Sequence, residues 1–133
     1  MLNAITEERI RVRYGETDQM GHAYYANYLF WFEQARGGWC RDRGFTYKGL
    51  EEMGYLLPVV EAHIRYRDEI KYDDLVIVRV WVSVIKRAAI RFEYTIHQAE
   101  SGLFALVGCH IERGPAQAVL VVSSRGCDHL AID

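Results

Sequence analysis

No stretch of this 133-residue chain comes near the roughly 18 consecutive apolar residues that a membrane-spanning helix needs, so none is expected. The N-terminal MLNAITEERI is acidic and lacks the apolar core of a secretory leader, which points to the cytoplasm. A basic block is missing too: 16 Lys and Arg stand against 18 Asp and Glu, for a net charge of −2. That balance speaks against nucleic acid as the main partner. It leaves room for a small phosphate-bearing ligand, which asks for only about two or three cations in one place. Cysteine is scarce and odd in number (Cys40, Cys109 and Cys127), with no two close together. This suits a reducing compartment and not a disulfide framework. The histidines His22, His63, His97, His110 and His129 form no HxxxH and no Cys/His pattern of zinc type, so neither metal nor cofactor is expected. Repeats and low-complexity runs are absent, and the length fits one domain over residues 1–133.

What is present builds a core. Half of the residues are apolar and 13% are aromatic. Residues 5–14 alternate as a first strand, with Ile10, Val12 and Tyr14 on one face. A helix is predicted from near Asn27, read as its N-cap, to about Arg43. Tyr28, Trp31, Phe32, Ala35, Gly38 and Trp39 give it one apolar stripe. Gly37 and Gly38 each cost roughly 1 kcal/mol relative to alanine inside a helix, which makes sense where another backbone packs close. Gly44 fits as the stop, and residues 46–53 suggest a short second helix. Beyond Gly54 the period becomes two. Val60, Ala62, Ile64 and Tyr66 share a face, as do Val76, Val78, Val80, Val82 and Val84, and then Ile90, Phe92, Tyr94 and Ile96. Alternation from Leu103 to Ile111 marks a fifth strand, and residues 118–122 suggest a sixth. Short turns such as Lys86-Arg87-Ala88 make these strands an antiparallel meander. The expected class is α+β, a sheet of five or six strands curled round one long helix.

Residues 11–36, RVRYGETDQMGHAYYANYLFWFEQAR, carry the chemistry. A strand-like start runs into a polar turn that holds Asp18, with Gly21 and His22 just before the helix. A helix N-terminus offers unpaired N–H groups and a positive dipole end to a carbonyl oxygen, while a carboxylate supplies a base or a nucleophile. Taken from the spacing alone, Asp18 is as readily a turn or capping residue.

Arg11-Val12, Thr17-Asp18, Gly21, Ala26-Asn27-Tyr28-Leu29, Trp31-Phe32-Glu33 and Arg36 together resemble the signature of the 4-hydroxybenzoyl-CoA thioesterase-like branch of the hotdog-fold acyl-CoA thioesterases. The spacings fit without a gap, and the resemblance continues more loosely to about Glu112. It implies hydrolysis of an acyl-CoA thioester to free acid and CoA. Asp18 falls where this family keeps its catalytic carboxylate, which would attack the carbonyl to form an anhydride or deprotonate a water. Among relatives the position of His22 carries either an aliphatic residue or Gly-His. Its two readings are a histidine of the turn and a proton carrier or substrate-orienting partner. Tyr25 stands where Tol-Pal-associated relatives often have a catalytic histidine. A tyrosine, with a pKa near about 10, is a poor base but a usable donor. Backbone N–H groups from about Tyr24 to Tyr28 would hold the oxyanion. Gly21, Asn27 and Tyr28 would meet the acyl end of the substrate, Gly21 either by admitting close approach or simply by making the turn. Such proteins act as dimers or tetramers of dimers, with the site at the subunit boundary.

Three cations at the predicted hairpin tip, Lys86, Arg87 and Arg91, are the first candidates for the CoA phosphates, with Arg65, Arg67 and Lys71 as competitors. Hairpin tips are also often basic simply because they are solvated. Glu33 and Arg36 read as a helix ion pair, at the surface or buried, and the stripe of Tyr28, Phe32 and Trp39 as core. Residues 113–133 depart from the family pattern at Gly114-Pro115. Two other classes share this fold: a non-catalytic acyl-CoA-binding module, and an enzyme such as a carrier-protein (polyketide-type) thioesterase or a hydratase. Asp18 argues against the module and the polyketide type. A hydratase usually brings a paired Asp/His with a longer overhanging segment, which this sequence lacks.

Overall fold

A computed structural model describes residues 4–44, 46–52, 59–86, 89–102 and 104–113, with backbone only at 47, 50, 60 and 104–113. The elements are β1 (Thr6–Arg11), a 3-10 turn (Tyr14–Glu16), α1 (Asn27–Asp42), α2 (Tyr47–Glu52), β2 (Val59–Tyr66), β3 (Leu75–Lys86), β4 (Ala89–Gln98) and β5 (Phe104–Arg113). The five strands form one sheet in the order β1-β3-β4-β5-β2, and every neighbouring pair is antiparallel. The predicted α+β class therefore holds for the described residues. The sixth strand proposed at 118–122 lies outside them.

The apolar stripe of α1 packs on the face of the sheet made by alternate residues of β3 and β4. Phe32 stacks on Tyr94 with ring centroids 4.0 Å apart, and Trp39 meets Phe92 edge-on at 5.3 Å. Full burial of such side chains is worth about 1.5–3 kcal/mol each, so this stripe dominates the stability of the helix. Trp31, Phe32, Trp39 and Phe92 are all at most 1% exposed.

Local departures from the expected pattern have physical causes. Tyr14 does not share the inner face of β1. The chain turns into the 3-10 segment after Val12, which leaves Tyr14 77% exposed. A register shift between Val82 and Val84 turns β3 over, so Ile85 is buried in the place expected for Val84. Asn27 is the first helical residue, not the cap; Ala26 holds that position without a side-chain cap. What crowds the helix glycines is side chain and not backbone: a Cβ on Gly38 would overlap the Glu8 carboxylate and lie 3.3 Å from Glu8 Cγ. Gly44, at φ +84°, ends α1 as expected.

β2 is an edge strand, and its apolar positions are poorly covered. Among its described side chains, Val59 and Tyr66 are nearly half exposed, Ala62 is exposed, and Ile64 packs partly on the core. Antiparallel pairing also sets the two ends of the sheet. The Leu75 end of β3 lies beside Arg11, while the Lys86 end lies with Ala89 and Arg113.

Candidate active site at the start of the helix

Asp18 sits at the base of a tight turn. Its N–H donates to the His22 carbonyl at 2.9 Å, and the Gly21 N–H donates to the Asp18 carbonyl at 3.0 Å. Gly21 has φ +79° with open space where a Cβ would stand, so the turn itself calls for glycine. One carboxylate oxygen, Oδ1, accepts the N–H of Met20 at 2.9 Å and that of His22 at 3.4 Å. These bonds fix the orientation of an exposed carboxylate, and among the described residues Oδ2 has no partner.

The turn is clamped on both sides. Ala23 donates its N–H to the Ile70 carbonyl at 2.6 Å, and His22 bridges to Lys71. On the helix side the clamp is Glu16, which the sequence reading passed over. Glu16 is only 7% exposed. Its Oε2 accepts the indole N–H of Trp31 at 2.9 Å, and its Oε1 accepts the N–H of Arg13 at 2.8 Å. Its carbonyl accepts Tyr24 N–H at 2.7 Å and the Asn27 side-chain amide at 2.8 Å. Burial pushes the Glu16 carboxyl up, but the bonds from Arg13 and Trp31 outweigh it and hold the group below its ordinary value. Glu16 thus makes the return half of a capping box, accepting the Arg13 N–H three residues back, but arginine has no acceptor for the other half and the sequence carries no capping-box signal here.

Other expected residues fall into place around this frame. Asn27 is engaged with Glu16. Tyr28 is 4% exposed and packs edge-on against Trp31 at 4.9 Å and Tyr66 at 5.2 Å, so it belongs to the core. Burial, then the negative ends of Tyr66 and Asp18, push the Tyr28 phenol up to about 12. Tyr25 is 61% exposed, lies 4.6 Å from the Tyr24 ring, and accepts the Tyr66 hydroxyl on its carbonyl at 3.0 Å. The hydrogen bond with Tyr25 raises the Tyr24 phenol above its ordinary value, with a smaller part from Asp18. Of the N–H groups expected to face an oxyanion, those of Tyr24 and Asn27 are taken. Those of Tyr25, Ala26 and Tyr28 have no backbone acceptor among the described residues. His22 directs Nε2 at Glu69 Oε2, and Lys71 Nζ lies 3.5 Å from the other oxygen of Glu69.

An apolar cleft of about 380 Å³ opens between α1 and the β2 edge, lined by Ala26, Leu29, Phe30, Phe32, Val59 and Ala62 with Glu33 and Arg36 beside them. A larger, polar cavity of about 590 Å³ between β1 and the outer side of α1 contains none of the residues singled out for chemistry.

The cation expectation changes most. Arg87 lies outside the described residues. Arg91 Nε pairs with Glu93 at 2.7 Å. Tyr66, beside the site, aligns across β5 and β4 with Val78 on β3. From Val78 to Lys86, eight residues of strand span roughly 26 Å. The Lys86 hairpin therefore does not stand beside Asp18 in the same chain. Arg65, Arg67 and Lys71 do lie at the Asp18 end of the sheet.

The sequence profile of the thioesterase-like superfamily matches residues 12–112. The chain belongs to that superfamily. This thioesterase-like protein is 42% identical over 78 residues to the YneP protein of Bacillus subtilis (strain 168), covering 59% of this chain and 56% of that one. It is 42% identical over 85 residues to the acyl-CoA thioesterase YbgC of Haemophilus influenzae, covering 63% and 62%. The matched region thus spans little more than half the length of these relatives. Among solved structures it is similar to DHNA-CoA thioesterase from Staphylococcus aureus, with a TM-score of 0.80, 34% identity, and coverage of 83% of this chain and 73% of that one. The fold is the hotdog fold expected from the sequence.

Proposed function

We propose that this protein hydrolyses an acyl-CoA thioester to the free acid and CoA, with Asp18 as base or nucleophile. The observation that carries the reading is one juxtaposition. A carboxylate held by one oxygen, with the other open, stands in the turn just ahead of α1 and close enough to Tyr28 to help raise its phenol, while the N–H groups of Tyr25, Ala26 and Tyr28 have no backbone acceptor among the described residues. An apolar cleft begins at Ala26 on the same helix. A thioester carbonyl seated there puts its oxygen toward the N–H groups, which stabilise the charge that develops on attack. Asp18 Oδ2 either adds to the carbonyl carbon, giving an anhydride that water then opens, or takes a proton from the attacking water. In both routes the C–S bond breaks, its electron pair leaves with sulfur, and CoA departs as thiolate or thiol.

Two further parts of the reading concern assembly and location. The uncovered β2 edge favours a homodimer in which β2 pairs antiparallel with its own copy, an isologous contact. Such pairing reverses the partner sheet and brings its Lys86 and Arg91 to the Asp18 end of this one. The CoA phosphates would then draw on Arg65 and Arg67 of one subunit and the hairpin cations of the other. The scarce and widely spaced cysteines, of which Cys40 is buried, are in keeping with the cytoplasm.

The test is release of free thiol from aromatic, short-chain and long-chain acyl-CoA esters by wild type and Asp18→Asn. Wild type is expected to turn over at least one ester. Asp18→Asn, with an unchanged melting curve, is expected to lose about 10²–10⁴ in rate, the range for an essential base. Equal turnover by a folded Asp18→Asn protein rejects the role of Asp18. Tight acyl-CoA binding without turnover by wild type favours the non-catalytic module.

A further inference from the structure

We propose that Glu69 is the positioning residue for His22: it holds the imidazole by Nε2 and leaves Nδ1 as the ring nitrogen that meets the substrate. This rests on the thioesterase reading for its consequence, though not for its geometry. His22 Nε2 stands within hydrogen-bonding reach of Glu69 Oε2, and Lys71 Nζ sits 3.5 Å from Glu69 Oε1. The backbone sets the two sides in register: Ala23 N–H donates to the Ile70 carbonyl at 2.6 Å, and His22 bridges to Lys71. The Lys71 N–H is held in turn by Asp74 Oδ2 at 2.9 Å. Glu69 thus reaches His22 from a segment that is itself fixed.

The chemistry follows from the two nitrogens of imidazole. When one donates to a carboxylate, the neutral ring keeps its only lone pair on the other, so any proton it handles passes there. A half-exposed histidine on a turn, with its side chain 30% accessible, would otherwise swing between rotamers. Holding a reacting group in one geometry is a rate effect and not a binding effect. Among the described residues the charged group that meets the ring is Glu69; Asp18 accepts the backbone N–H of His22, and Lys71 sits on the other oxygen of Glu69. Glu69 belongs to no motif and stands far from His22 in the chain, so only the fold brings the two together.

A simpler role, a clip that merely ties the turn to the 69–71 segment, predicts something different. The amide of His22→Gln can still donate to Glu69, so it keeps a clip but has no imidazole. The experiment measures kcat and KM on the best acyl-CoA ester for Glu69→Gln, His22→Gln and the double variant. It also follows the ¹⁵N resonance of His22 Nε2 in wild type and Glu69→Gln. If Glu69 positions the imidazole, His22→Gln lowers kcat by about 10², at the low end for a proton-handling group, and Glu69→Gln by about tenfold or more. KM should stay within about twofold, since uniform binding is untouched. The double variant should be no slower than His22→Gln alone, because Glu69 acts only through the ring. The Nε2 resonance should move in Glu69→Gln. Wild-type kcat in either single variant overturns the proposal, as does an Nε2 resonance that ignores Glu69. If the wild type turns over no thioester at all, the thioesterase reading fails by itself. The Nε2 resonance then decides the Glu69 contact without any activity.

Discussion

Replacing Glu16 by alanine removes the acceptor that ties the Asp18 turn to the helix. Two donors are left behind, Trp31 Nε1–H and Arg13 N–H, at 2.9 and 2.8 Å in the native protein. Hydrogen bonds to a charged acceptor contribute about 1.5–3 kcal/mol each. The Arg13 N–H lies near the surface and can turn to water, but Trp31 is 1% exposed and its indole N–H cannot. The expected loss is therefore about 3–4 kcal/mol, most of it the desolvated indole donor. For a chain of this length that corresponds to roughly 10–20 °C in melting temperature. Glu16→Gln keeps one acceptor oxygen and should lose about half as much. The pH dependence carries a definite sign. The folded carboxyl is held below its ordinary value of 4.5, so its contribution is fully present above that value. It is lost as pH falls through the lower folded value. The gap between wild type and Glu16→Ala should accordingly be constant near neutral pH and narrow in strong acid. Thermal unfolding of the three proteins at neutral and acid pH checks this. A Glu16→Ala protein within about 1 kcal/mol of wild type near neutrality would refute the account, since a buried, unpaired indole donor alone costs more.

The remaining expectations concern assembly and the leaving group. Sedimentation at micromolar concentration should give a dimer or larger, and Ala62→Glu, on the exposed β2 edge, should shift it toward a 15.4 kDa monomer; a wild-type monomer would remove the two-subunit site. Arg65→Ala with Arg67→Ala should raise KM for acyl-CoA with little change in kcat and hardly touch a truncated thioester without the nucleotide, because phosphate contacts are equal in ground and transition states. Lys86→Ala with Arg87→Ala should do the same only if the hairpin reaches a neighbour's site, so its effect should vanish in the monomeric Ala62→Glu background.

Periodicity alone determined most of the architecture. The stripe from Tyr28 to Trp39 could bury its aromatics only against a sheet. The alternation at Val76–Val82 and Ile90–Ile96 named the face that received them. The position of Asp18 ahead of the helix was equally legible, because the Asp18–His22 turn is local: its bonds join residues at most four apart. Long-range placement was not. Whether Val84 or Ile85 faces the core depends on a bulge set by strand pairing, which no residue announces. Lys86 looked close to Asp18 because a hairpin tip and a helix start are both exposed, yet antiparallel pairing put them at opposite ends of the sheet. Tyr28 looked like a substrate contact by its place in the motif, but Tyr66, from an edge strand, covers it. Glu16 and Glu69 show the difference most directly. Glu16 has a local partner in the Arg13 N–H three residues back, but its bond to the Trp31 indole needs the helix docked. Glu69 meets His22 only when β-type pairing brings residues 69–71 against the turn. Local patterns fix what hydrogen-bonds within a few residues; the tertiary structure decides which charge meets which, because that depends on register across the sheet.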